Sequence, residues 1–184
     1  PWVTAHYYRN KVQAALSRPV ISLTGETICY LQEKQMKNIG VMATDGTIAG
    51  HVFQNLCSSS DMTCLIPDPQ QQADIMNLIY NYLKEGQPVP KLQQKVFRDT
   101  AESLRQAGAE SILLACTELS LMTHCCPSDL SCLNVMAILA AACVRTCGAK
   151  LTRHYEELIQ IKPLVAGITR NCPIYQDTLQ TADL

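Results

Sequence analysis

Residues 111–120 read SILLACTELS, an apolar run that stops at a cysteine and continues with Thr117 and Glu118. Gly108 closes the segment before it, and 111–115 reads as a buried strand. The same pattern continues upstream. Residues 38–43 form an apolar run that reads as a strand, and 46–57 reads as the helix that follows. A second short strand at 63–66 ends at Pro67 and Pro69, and 70–84 then places Ile75, Met76, Ile79 and Leu83 on one helical face. Pro88 and Pro90 break that helix. Another spans 91–107, with Leu92, Val96, Phe97 and Leu104 on its apolar side and charges opposite. Downstream, 133–136 is a shorter strand and 137–148 a mostly apolar helix. Strands alternating with helices imply an α/β fold, a parallel sheet flanked by helices on both faces.

In such sheets ligands bind at the carboxyl ends of strands. Two clusters fall there: Thr44-Asp45-Gly46-Thr47 after the first strand and Cys116-Thr117-Glu118 after the third. The first can be a plain strand-to-helix turn with Thr44 or Asp45 as cap. Such a turn also offers N–H groups to an anion, so the two readings coexist. Its glycine spacing and lack of lysine exclude a P-loop.

The 184 residues suffice for one ordinary domain, or one domain and pieces of another. A formal net charge of −1 and a hydrophobic fraction of 47% indicate neither a disordered chain nor a polyanion binder. Lys and Arg are scattered, so no nucleic-acid partner is expected. The longest apolar run, 135–144, is too short to span a bilayer, and no membrane role is expected. Ten cysteines would suggest a disulfide framework in a small secreted protein. Here Cys29, Cys116 and Cys143 lie inside apolar runs, where cysteine packs as a small hydrophobe, and no secretory pattern opens the sequence. The expected setting is a reducing cytoplasm. His124-Cys125-Cys126 with Cys132 invites a zinc reading, but the spacing matches no ligand pattern and no metal is expected. Cys143 and Cys147, at helical i, i+4 spacing, read as core packing.

The opening thirty residues read as a different unit. They suggest a helix at 7–17 and a strand at 20–23 after Pro19, the tail of another α/β unit. Residues 150–184 show a weak helical pattern near 155–161.

GVMATDGT (40–47), CLIPDPQQQADIMNLIY (64–80) and GAESILLACTELSLM (108–122) resemble, in order and spacing, the second half of the aspartate/glutamate racemase family. PWVTAH at 1–6 resembles that family's P-C-N-T-A-H motif, and the likeness runs to about residue 148. The resemblance implies two similar α/β domains with the active site between them. It also implies cofactor-independent chemistry: two cysteines facing each other across the substrate α-carbon, one removing its proton and the other delivering one to the opposite face. Each thiol acts as a base only as thiolate, and the carbanion must be held by donors on the α-carboxylate.

Carried over by position, Cys116 matches the second catalytic cysteine and Thr117 a carboxylate donor. Thr44 and Thr47 match positions that help bind a substrate carboxylate, and Thr4 matches the threonine of the first motif. His6 and Glu118 are expected in supporting roles, His6 at a helix start and Glu118 orienting the cysteine loop. The first cysteine is replaced by Trp2, which has no proton to exchange with a carbon acid, and the next asparagine by Val3. Asn134 stands where relatives often carry an aspartate. The family's first domain begins with a strand and glycine-rich loop ahead of this motif, and the chain carries none of it. The expected division is 1–34 as a remnant of the first racemase-like domain, 35–136 as the second, and 137–184 as a helix returning to the first, with a tail.

Together these readings predict an acidic amino acid or other small carboxylate as ligand, with racemisation impaired at Trp2. The alternative is a relative that only binds a carboxylate or a protein partner. Self-association, or a partner completing the first domain, is expected because an incomplete domain exposes apolar surface. Arg145 and Arg153 are the candidate cations for a side-chain carboxylate.

Overall fold

The computed structural model describes residues 3, 8–18, 20–127, 129–151 and 159. Four parallel strands form its centre: β1 (Asn38–Met42), β2 (Thr63–Leu65), β3 (Ser111–Leu114) and β4 (Ser131–Asn134), in the spatial order β2-β1-β3-β4. Met42 lies opposite Leu114, and Leu114 opposite Asn134, so β1, β3 and β4 reach the same edge in step. Ile39, Ile112 and Leu113 are wholly buried, as continuous apolar strands covered on both faces must be.

The helices divide between the two faces. On one side, α2 (Leu23–Glu33) and α4 (Val52–Ser59) cover Ile39, Val41, Leu113 and Leu133, with Leu23, Leu31 and Phe53 as the large inserts. On the other, α5 (Pro69–Leu78), a π-helical turn (Ile79–Leu83) and α6 (Lys91–Gln106) cover Met42, Ile112 and Leu114 through Ile75, Leu78 and Phe97. Gly40 faces this second layer. A Cβ there would come within 2.5 Å of Ile112 Cδ1 and 3.2 Å of Leu104 Cβ, so glycine lets α6 close down on the strand. A 3₁₀ helix (Leu119–Cys125) follows β3, and α7 (Val135–Thr146) leaves directly from β4.

Several boundaries follow from caps. Asp68 accepts from Gln71 N at 2.8 Å while Asp68 N donates to Gln71 Oε1 at 3.2 Å, a capping box that starts α5 with Pro69 in its first turn. The single helix expected at 46–57 is two, α3 (Asp45–Ala49) and α4, because His51 takes a left-handed conformation (φ 49°) between them. The strand expected at 20–23 is overturned. Ser22 accepts from Gly25 N at 3.1 Å and caps α2, so Leu23 opens a helix that packs on the sheet. The fourth strand ends at Asn134 and not at 136, because the Asn134 side chain caps α7. The helix of the opening segment is shorter than expected, α1 (Arg9–Ala14). Cys143 is half-buried and Cys147 exposed, so the pair is not packed in the core. The helical pattern near 155–161 lies outside the described residues except for Ile159, which is buried with Ala137, Ile138 and Ala141 of α7. Among the described residues, no helix is long and apolar enough to cross a membrane.

Candidate active site

The strand order places a topological switch between β1 and β3. From β1 the chain passes through α4 to β2 on one side, then returns through α5 and α6 to β3 on the other. The helices following β1 and β3 lie on opposite faces, and the carboxyl ends of two such strands are where open α/β sheets bind their ligands. Thr44 and Cys116 each stand two residues beyond the paired ends Met42 and Leu114, and Ala115 N donates to Met42 O at 2.9 Å. The two clusters that the sequence puts at strand ends are thus neighbours.

At the β3 end, Cys116 is 6% exposed. Its Sγ–H donates to Glu118 Oε2 at 2.8 Å, and Thr117 Oγ1 donates to the same oxygen at 2.6 Å. Burial and the hydrogen bond to Glu118 push the Cys116 thiol up to about 11 against the opposing pull of the Glu118 and Leu119 backbone N–H groups. For Glu118, burial acts upward, but the donors from Cys116 and Thr117, its own backbone N–H and the charge of Lys84 outweigh it and hold the carboxyl below its ordinary range. The resting site is therefore a thiol donating to a carboxylate.

At the β1 end, Thr44 Oγ1 and Thr47 Oγ1 lie 3.2 Å apart, and Thr47 is buried. Thr44 occupies the cap position of α3 without a side-chain cap bond. Asp45 N donates to Met76 Sδ at 3.3 Å, so one of the turn's N–H groups expected to be open to an anion already has a partner. Gln72 of α5 clamps the turn, its Nε2 donating to Ala43 O at 3.0 Å and to Asp45 Oδ1 at 2.8 Å.

Three further residues bear on this edge. Ser120 Oγ lies 2.9 Å from Asn134 Oδ1 and 3.3 Å from Cys116 O, joining the cysteine loop to the cap of α7. Ser120 and Gln72 escape a sequence reading because nothing local marks a serine or glutamine whose partner lies on another element. Lys84 escapes it for the same reason. It follows the π turn, which packs on the 3₁₀ helix after Cys116, and its ammonium stands 3.7 Å from the Tyr80 ring centroid while acting on Glu118. Arg145 is not at this edge: α7 starts there and runs away, which puts ten residues, about 15 Å of helix, between Val135 and Arg145.

Of the opening motif only Val3 is described. It is 5% exposed and belongs to the buried cluster that contains Ala43 and Ala115, the residues just ahead of Thr44 and Cys116. Trp2, Thr4, His6 and Arg153 lie outside the described residues. His124 Nδ1 is 3.0 Å from Leu121 O in its own helical turn. The Cys126 thiol is pushed up by its hydrogen bond with Cys132 and by burial. Among the described residues no group of three or more His, Cys, Asp or Glu is placed to hold a metal ion.

Comparison with known proteins places this geometry in context. The family model of Asp/Glu/hydantoin racemases matches residues 3–143. A broad-specificity amino-acid racemase, RacX of Bacillus subtilis (strain 168), is 27% identical over 146 residues, covering 79% of this chain and 62% of that protein. The aspartate racemase of Picrophilus torridus superposes with a TM-score of 0.67 at 21% identity, over 84% of this chain and 63% of that one. Glutamate racemase from Francisella tularensis subsp. tularensis SCHU S4, solved with D-glutamate, gives 0.60 at 12% identity, over 94% and 59%. The chain thus spans about three fifths of the length of these proteins.

Proposed function

The chain belongs to the Asp/Glu/hydantoin racemase family, and on that premise we propose that it binds a small acidic amino acid at the β1–β3 edge and moves its α-proton through Cys116 without a cofactor. Thr44 and Thr47 bind a carboxylate, and Thr117 with its backbone N–H holds the α-carboxylate. Cys116 as thiolate takes the α-proton, the electron pair passes into the α-carboxylate, and the same thiol returns the proton. Glu118 is a positioning residue that aims the S–H, and Lys84 brings positive charge toward a side-chain carboxylate. The reading is carried by the Cys116-Glu118-Thr117 constellation lying beside Thr44 and Thr47 at the topological switch of the sheet.

Inversion requires a second acid/base on the opposite face, and Trp2 stands where the first cysteine is expected. With the thiol pushed up to about 11, the thiolate fraction at pH 7 is on the order of one in ten thousand. Both points favour impaired racemisation. They also favour the second reading, a non-catalytic relative that retains the carboxylate pocket for binding alone.

The test is α-proton exchange of L- and D-aspartate and glutamate in D₂O followed by NMR, with Cys116→Ala as control and chiral analysis of the same samples. Cys116-dependent exchange with retention is the expected result. Exchange with inversion would mean a second acid/base exists and the reading of Trp2 is wrong. Absence of exchange above the control would leave the binding reading.

A further inference from the structure

We propose that Asn134 is a specificity-determining residue of this edge, a neutral amide that offers its N–H to a ligand oxygen beside Cys116. The inference rests on the carboxylate-binding reading above and adds a residue to it. Asn134 ends β4 directly opposite Leu114 of β3, the strand whose end carries Cys116 two residues on. Its Oδ1 is fully committed. It accepts from Met136 N at 3.0 Å and Ala137 N at 3.3 Å as the cap of α7, and from Ser120 Oγ at 2.9 Å. Two backbone donors on Oδ1 settle which end of the amide is oxygen.

That commitment leaves Nδ2 unspent. Among the described residues no acceptor takes its hydrogens, and the atom is not one of the buried polar atoms that lack a partner, so it is accessible at the end of β4. The amide is held by three donors on its other end, so it presents these hydrogens without an ordering cost when a ligand arrives. An N–H donor there favours a carboxylate or carbonyl oxygen and disfavours an ammonium, because two donors facing each other cannot pair.

The neutrality of the amide matters as well. Ser120 Oγ, which donates its one hydrogen to Asn134 Oδ1, also lies 3.3 Å from the carbonyl oxygen of Cys116. A carboxylate in place of the amide would set a second negative charge, after Glu118, near the thiol, and like charges oppose ionisation. Asparagine caps α7 as well as aspartate does but brings no charge.

The experiment compares Asn134→Asp with the unaltered chain. Aspartate keeps the cap and the acceptor for Ser120, so the fold is retained, while the donor becomes a charge. The readout is the alkylation rate of Cys116, followed by peptide mass spectrometry as a function of pH and of added L- or D-aspartate, glutamate or succinate. In the variant, the pH midpoint is expected to rise by about one unit, and at least tenfold more carboxylate is expected to be needed for the same protection. Unchanged midpoint and unchanged protection would overturn the role of Asn134, while protection of the unaltered chain would still support the carboxylate pocket. If succinate protects but the amino acids do not, the amino-acid reading fails and the succinate titration of the variant decides on Asn134. Failure of all five to protect the unaltered chain would overturn both. Asn134→Ala separates a structural role: it loses the cap and the donor but adds no charge, so a midpoint that rises equally in both variants would also count against the inference.

Discussion

Cys116 sets the chemistry available to this protein, and its surroundings hold it as a thiol. Burial is the larger influence and the Glu118 carboxylate the next. Glu118→Gln removes the adjacent charge, so the alkylation midpoint of Cys116 should fall by about one unit, yet stay above the ordinary thiol range because burial remains. No downward movement would show that Glu118 does not bear on the thiol. The same shift bears on stability. The unfolded thiol ionises near 9.0 and the folded one near 11, so the folded chain binds the proton more tightly. The stability this group contributes is fully present below pH 9.0 and is lost as pH rises toward about 11. The loss should be on the order of 2 kcal/mol and absent in Cys116→Ala, which thermal melts of the two proteins across that range would compare.

At the scale of elements, the site depends on where each helix starts. The Asp68–Gln71 capping box starts α5, the helix whose Gln72 clamps the Thr44 turn. Asp68→Ala should cost about 1 kcal/mol, read as a lower denaturation midpoint at unchanged slope. Gly40→Ala tests the contact between β1 and α6. Ile112 Cδ1 can swing aside, but Leu104 Cβ at 3.2 Å and Ala109 Cβ at 3.3 Å are bonded directly to the main chain and move only with it, so a loss of about 1–3 kcal/mol is expected. An unaffected midpoint would mean that α6 relaxes away freely.

For the whole molecule, the balance is between a closed sheet and an incompletely covered exterior. β3 and all but the first residue of β1 are buried, yet the edge strand β2 is exposed at Thr63, and Val12 in α1 and Leu16 just after it are 44% and 51% exposed. The expected self-association is checked by sedimentation velocity over a rising concentration series. Association that weakens on Val12→Asp would place it at α1, and a monomer throughout would rule out the expectation.

The parallel α/β fold and the position of both clusters at strand ends were legible in the amino-acid sequence, because periodicity, proline, glycine and cap residues act within a few neighbours. Cys116-Thr117-Glu118 could be picked out for that reason, and its three side chains do meet within one turn. The boundary at Ser22 was misread, since a short β-branched run after Pro19 suits a strand until packing against the sheet selects the helix that Ser22 caps. What only the tertiary structure decided was adjacency. Strand order put Thr44 beside Cys116, α5 brought Gln72 to the turn, the π turn carried Lys84 toward Glu118, and β4 set Asn134 against Ser120. Such meetings depend on which strands pair and which face each crossover takes, and those are properties of the assembled core rather than of any local stretch of chain.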